Sequence, residues 1–164
     1  MPKGYDQVGT SDVTGKYSVT HHDAYVYVKI DRNGAKATIK NLTHLNNAQK
    51  QAAEAAIDQA TDLNTMNQAI STATKLDGDM GDLQTAVNQA NEAKTTNNYL
   101  QASADKKDNL NSAVQNAQAV LAATGANDSA NQVKALTKSV NDAVDALNGD
   151  SNLANTKKQA DQNI

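Results

Sequence analysis

The 164-residue sequence contains no cysteine, no tryptophan and no phenylalanine, and only one proline, Pro2. Without cysteine there is neither a disulfide framework nor a thiolate metal site. Five tyrosines are the only aromatic residues. Aromatic and bulky aliphatic side chains supply most burial energy, so any core here must be assembled from Ala, Val, Leu, Ile and Met. With a mean hydropathy of −0.66, this composition implies small helical bundles whose backbones approach closely and whose neighbours support one another. No run of about 18 apolar residues occurs, so nothing reads as a membrane span. The opening MPKGYDQVGT lacks the apolar stretch of a secretory signal.

Two compositions share the chain. Residues 1–40 hold four of the five tyrosines (Tyr5, Tyr17, Tyr25, Tyr27), the only proline and the only arginine, with six basic and four acidic side chains. In AYVYVKIDRNGAKATIK, Val26, Val28 and Ile30 alternate with Tyr25, Tyr27 and Lys29, the period of a half-buried strand. Asn33-Gly34 then predicts a tight hairpin turn, because both central residues of a type I′ turn need positive φ. Ala37 and Ile39 would continue the apolar face on the return strand, and a further strand is expected near Tyr17–Thr20. A lone hairpin is rarely stable in water. This segment needs a third strand, a helix or a partner.

Residues 41–164 carry nine basic and fourteen acidic side chains; Asn and Gln fill about a quarter of the positions, Ala about a fifth, and proline is absent. The apolar period is helical. Thr43 is placed to cap a helix with Leu45, Ala48, Ala52, Ala56 and Ile57, and Thr61 or Asp62 to cap the next. The second seam, from Leu63 through Met66, Ile70, Ala73, Leu76, Met80, Leu83 and Val87 to Ala90, keeps spacings of three and four for about eight turns. Gly78 and Gly81 interrupt it, each unfavourable by about 1 kcal/mol relative to Ala, and one long helix with a soft point is expected. TTNNYLQAS reads as a loop. Ser103 opens a helix with Leu110, Val114, Ala117 and Val120, which Gly125 is placed to end. Asp128 or Ser129 opens another, with Val133, Leu136, Val140, Val144 and Leu147, ending at Gly149. Ser151 or Asn152 opens a last helix with Leu153, Thr156, Ala160 and Ile164, stopping in mid-pattern as a segment of a longer array would.

NLTHLNNAQKQA, DLNTMNQAISTATKL, NNYLQASADKKDNLNSAVQNAQAVL and VNDAVDALNGDSNLANTKKQA resemble the tandem repeat of the giant extracellular matrix-binding surface proteins (Ebh type) of Gram-positive cocci. The resemblance covers residues 41–164 and implies an all-α fold: tandem three-helix modules sharing a long central helix in an elongated rod, preceded by the short β-hairpin segment. It divides the chain into a hairpin-like leader at 1–40, a partial two-helix GA-like module at 41–78, a FIVAR-like three-helix module at 79–149 and the first helix of the next repeat at 150–164. On that reading the first GA-like helix is missing before Leu42. The hairpin either supplies the third wall of that bundle or is a foreign or engineered leader. The glycines of LDGDMGDL, and the lack of a bulky residue soon after Ser103, depart from the family pattern; Tyr99 matches it.

Little in the sequence offers chemistry. His21 and His22 are neighbours in a strand, point to opposite faces and chelate poorly. His44 stands alone, without the companions a metal site needs. Asp77 and Asp79 fit the first two ligand positions of a calcium loop, but Gly81, Asp82 and Asn88 break the rest of the pattern. The sequons Asn41-Leu42-Thr43 and Asn127-Asp128-Ser129 read as a helix start and a turn. No nucleophile–base set, phosphate loop or paired catalytic carboxylates is visible, so no enzyme, cofactor or metal is expected, and no ligand-binding residue can be assigned. The acidic helical part repels phosphates and argues against nucleic acid. The resemblance implies a monomeric cell-surface rod, its signal and anchor outside this segment, that binds host matrix weakly through many copies, with fibronectin the implied ligand. Two alternatives stand beside it: a GA-type albumin-binding module with its surface around Ala52–Leu76, and a ligand-free spacer.

Overall fold

The computed structural model describes residues 4–13 and 22–164. An antiparallel two-stranded ladder, β1 (Tyr5–Val13) and β2 (His22–Lys29), pairs Tyr5 with Lys29 and Val13 with His22, with an irregularity between Gln7 and Gly9. Seven helices follow: α1 (Arg32–Lys40), α2 (Asn47–Gln59), α3 (Leu63–Ala93), α4 (Asn97–Leu100), α5 (Ala104–Leu121), α6 (Ala130–Asp145) and α7 (Gly149–Gln162). The strand expected at 17–20 lies outside the described residues.

The hairpin expected around Asn33-Gly34 is not there. Those residues form the first turn of α1, where the Asp31 carboxylate accepts a hydrogen bond from the Gly34 N–H at 3.0 Å. Ala35 and Ile39, four residues apart, then fall on one helical face and are buried. The Asn-Gly signal loses because a capped turn satisfies the same backbone, and because the strand before it already pairs upstream with β1. The correction removes the missing helix as well. α1 packs against both α2 and α3, Arg32 Nη2 donates to the Ala60 carbonyl at 2.5 Å, and Lys36 pairs with Asp58. The first module is thus a three-helix bundle with its own first helix, and the leader boundary at residue 40 and the two-helix module at 41–78 are both revised.

The long seam holds. α3 runs unbroken for 31 residues through Gly78 and Gly81, a length of about 46 Å. Asp62 caps it reciprocally with Thr65, whose backbone N–H and hydroxyl hold the Asp62 carboxyl below the ordinary carboxylate range. Met66, Ala73, Met80, Leu83, Val87 and Ala90 of α3 belong to one hydrophobic cluster that runs through both modules. In the second module it takes in Leu110, Val114, Ala117 and Val120 of α5 with Val133 and Val140 of α6.

Several helix limits move. α2 is capped by Asn46, not Thr43, and begins at Asn47, because Asn46 and Gln49 form a reciprocal capping box. The expected loop at 95–103 contains the one-turn helix α4. α5 ends at Leu121, four residues before Gly125, and α6 ends at Asp145, before Gly149. Ser129 caps α6, again reciprocally, with Gln132. α7 begins at Gly149 rather than at Ser151 or Asn152, and beyond half-buried Asn152 and Leu153 its residues are exposed.

Candidate functional site

The densest polar construction in the described residues lies where the two bundles meet, at the start of α2. Asn46 and Gln49 are 3% and 2% exposed, the only buried polar or charged side chains found among them. Asn46 Oδ1 accepts from the Gln49 N–H at 2.9 Å. Its Nδ2 donates to the carbonyls of Val120 at 2.9 Å and Ala126 at 2.8 Å, across the junction in the α5–α6 segment. Gln49 Oε1 accepts from the Asn46 N–H, while its Nε2 donates to the Asp128 carbonyl at 3.1 Å and reaches the Met80 sulfur at 3.5 Å. The Asn47 N–H adds a bond to the Ala123 carbonyl. Carbonyls at the end of a helix and in a turn lack internal partners, and the amides of α2 satisfy them.

A second tie lies on the opposite side of α2's entry. Asp77 of α3 accepts from the backbone N–H groups of His44 at 2.7 Å and Leu45 at 3.1 Å, and faces His44 Nδ1 at 3.1 Å. Burial opposes ionisation of Asp77, but the His44 ring and the two backbone N–H groups together outweigh it and hold its carboxyl below the ordinary range. A depressed carboxyl stabilises the fold above its unfolded pKa of about 3.9 and loses that contribution as pH falls through the lower folded value. Asp77→Ala therefore costs about 1.5 kcal/mol at pH 7, and the gap to the unsubstituted chain narrows as pH falls from about 4 through the lowered folded value. Urea titrations at pH 7 and pH 3 check this; a gap of equal size at both would count against the tie.

His44 thus has a partner that sequence spacing did not reveal. Asp77 and Asp79, whose spacing matches only the first two positions of a calcium loop, turn to different elements: Asp79 faces Lys134 of α6 at 3.6 Å. Asp82 is exposed, and the described residues contain no group of three or more His, Asp or Glu side chains that could hold a metal. His21 and the His22 side chain lie outside the described residues. No helix among them is long and apolar enough to cross a membrane.

The surface proposed for an albumin-type ligand contains an open groove of about 360 Å³ between α2 and α3, floored by Ala52, Ala53, Ala56, Ala69 and Ala73 and closed at one end by the 127–130 turn. Its walls are small and carry no Trp, Tyr or Arg, the side chains that dominate binding energy. At the far end of the second bundle, Asn148 Oδ1 accepts from the Ser103 N–H at 3.0 Å, Asn98 Oδ1 from the Asp150 N–H, and Asn152 Nδ2 donates to the Gln101 carbonyl. These amides fix where α7 leaves.

Asn and Gln are mostly exposed residues, so composition does not mark the pair that builds the junction. One signal for them was present: Asn46 and Gln49 stand three apart, as in a capping box.

Comparison with known proteins places this geometry. The GA module family matches residues 30–79 and the FIVAR domain family residues 79–148, so the two meet inside α3. The extracellular matrix-binding protein ebh of Staphylococcus aureus (strain MRSA252) is 42% identical over 134 residues, 81% of this chain and 1% of that protein. EbhB of S. aureus (strain Newman) is 39% identical over 77% of this chain and 2% of its own length. Among solved structures, a crystal structure of an EbhA domain from S. aureus superposes with a TM-score of 0.76 at 36% identity, covering 81% of this chain and 55% of that one. A structure from the characterisation of Embp-mediated Staphylococcus epidermidis adherence to fibronectin gives 0.65 at 28%, covering 71% and 93%. The chain spans only 1–2% of the curated relatives' length.

Proposed function

This chain belongs to the GA- and FIVAR-module family of staphylococcal-type extracellular matrix-binding proteins, and on that premise we propose that it is a repeat segment of a bacterial cell-surface adhesin. It acts as a helical rod projecting from the wall and binds host matrix, a fibronectin-type ligand, weakly and through many copies. The observation that carries the reading is α3. One helix serves both modules, so their cores are strung along a common axis rather than joined by a linker. Further modules following α7 would extend that axis.

The exposed faces of the helices are built from amides, alanines and dispersed charges, with no deep pocket and no exposed aromatic side chain among these helices. Such a surface supports weak contacts, and linking modules multiplies them by about 10²- to 10⁴-fold without any new interaction. The matching adherence protein is described with fibronectin, which makes fibronectin the first ligand to test. The GA match keeps an albumin-type ligand as the second reading. Its weakness is the alanine-lined α2–α3 groove, which offers no residue of the hot-spot types.

The deciding experiment measures binding of one copy of the chain, and of an array of linked copies, to immobilised fibronectin, albumin and fibrinogen. The expected result is no saturation by the single copy and slow dissociation of the array from fibronectin. Saturable single-copy binding to albumin would replace the matrix reading with the albumin one. Failure of the array on every surface would leave a spacer.

A further inference from the structure

Gly78 and Gly81 sit in the middle of α3, on either side of fully buried Met80, where the hydrophobic cluster passes from one module to the other. Packing does not require either. Nothing lies within 4 Å of where a Cβ on Gly78 would stand, and a Cβ on Gly81 would meet only the His44 ring at 3.4–3.5 Å, an ordinary contact. The contrast with Gly125 at the junction and Gly149 at the far end of the second bundle is sharp. A Cβ on Gly125 would run into the Val120 carbonyl oxygen and stand 2.8 Å from that of Ala119; one on Gly149 would strike the Asn98 carbonyl oxygen and stand 2.6 Å from that of Asn97. Those two glycines are there for space. Gly78 and Gly81 do nothing in the packed state that alanine could not do, and they loosen the helix where they stand.

The bonds that cross from the start of α2 gather at the same level. Gln49 reaches Met80, Asp77 holds the His44 and Leu45 N–H groups, and Lys134 faces Asp79. The Asn46 and Gln49 amides tie the first bundle to the carbonyls of Val120, Ala126 and Asp128 in the second.

We propose that residues 78–81 of α3 form a hinge, and that the Asn46–Gln49 amide clasp is its latch. With the clasp closed the two bundles hold one angle. With it open, buried Met80 gives up its contact with Gln49 and α3 bends at the glycines, while the packing of residues 66–73 and 83–90 on either side holds, so the junction yields before either module unfolds. Its use, as compliance in a surface rod under drag, rests on the adhesin reading; the device itself does not.

The test uses the whole chain, whose lack of cysteine allows clean spin-labelling at exposed Gln51 of α2 and Gln118 of α5 through Gln51→Cys and Gln118→Cys. Asn46→Ser keeps a capping oxygen and removes both cross-junction donors. Pulsed dipolar spectroscopy is expected to show a narrow distance distribution in the parent. The Asn46→Ser variant should show one at least twice as wide, shifted to longer distance, with helicity by circular dichroism unchanged. Adding Gly78→Ala and Gly81→Ala to that variant should restore the parent's width. An unchanged width in Asn46→Ser overturns the latch, and widening that survives both alanines overturns the hinge. Should Asn46→Ser lose helicity, the parent is taken through urea below its unfolding transition. Widening ahead of helicity loss, abolished by the two alanines, upholds the proposal; widening that only accompanies helicity loss overturns it. No ligand enters these measurements, so a spacer that binds nothing could still hinge, and an adhesin could fail to.

Discussion

Replacing Asn46 with aspartate lowers stability by about 3 kcal/mol at neutral pH, the order expected for a buried charge left without a partner. The side chain is 3% exposed and its Nδ2 serves two carbonyl oxygens. Aspartate keeps the cap to the Gln49 N–H but turns an anionic oxygen toward the Val120 and Ala126 carbonyls. Burial and that repulsion raise the introduced carboxyl above the unfolded value of about 3.9. The penalty is therefore full above the raised folded value and shrinks as pH falls through it. Urea unfolding at pH 7 and pH 4 reads both parts of the expectation. Equal stability of Asn46→Asp and the parent at pH 7 would mean that the amide does not hold the junction.

Glycine substitutions separate the junction's needs equally well. Gly125→Ala and Gly149→Ala each place a methyl against backbone carbonyls that cannot rotate away, and each is expected to cost about 2–3 kcal/mol. Gly78→Ala, with open space at its Cβ position, is expected to add about 1 kcal/mol. Thermal melts of the three variants check the order. A destabilising Gly78→Ala, or a neutral Gly125→Ala and Gly149→Ala, would contradict the packing described for these positions.

Much of the fold was legible because it rests on periodicity. The spacing from Leu63 to Ala90 identifies α3 and its unbroken course, since tertiary burial on two cores outweighs two glycines in a long helix. Asp62 and Ser129 were readable as caps for the same local reason. The first forty residues misled because Asn33-Gly34 is a strong hairpin signal whose outcome depends on neighbours. Asp31 caps the turn and Ile39 finds a core on α2 and α3, neither of which a strand pattern anticipates. The family match reaching back to residue 30 agrees with the helix.

The junction was less legible than the helices. Asn and Gln are exposed in most settings, and composition alone cannot single out the two that are buried. Their partners are backbone carbonyls more than seventy residues away, and a carbonyl leaves no mark in a sequence. Asp77 was hidden for a related reason. Its partners are the N–H groups of His44 and Leu45, and where side-chain pattern implied only an acidic, solvated helix face the structure has an anchored turn.

The account centres on one helix that carries two bundles and is clamped where they meet. Native-state hydrogen exchange of the α3 amides from residues 77 to 82 tests this most directly. If the clamp holds, these amides are protected well beyond an unstructured chain, although less than the flanking core segments at 66–73 and 83–90, because the junction opens first. Exchange at 77–82 at the rate of an unstructured chain, with both flanks still protected, would show two bundles on a broken helix and contradict it.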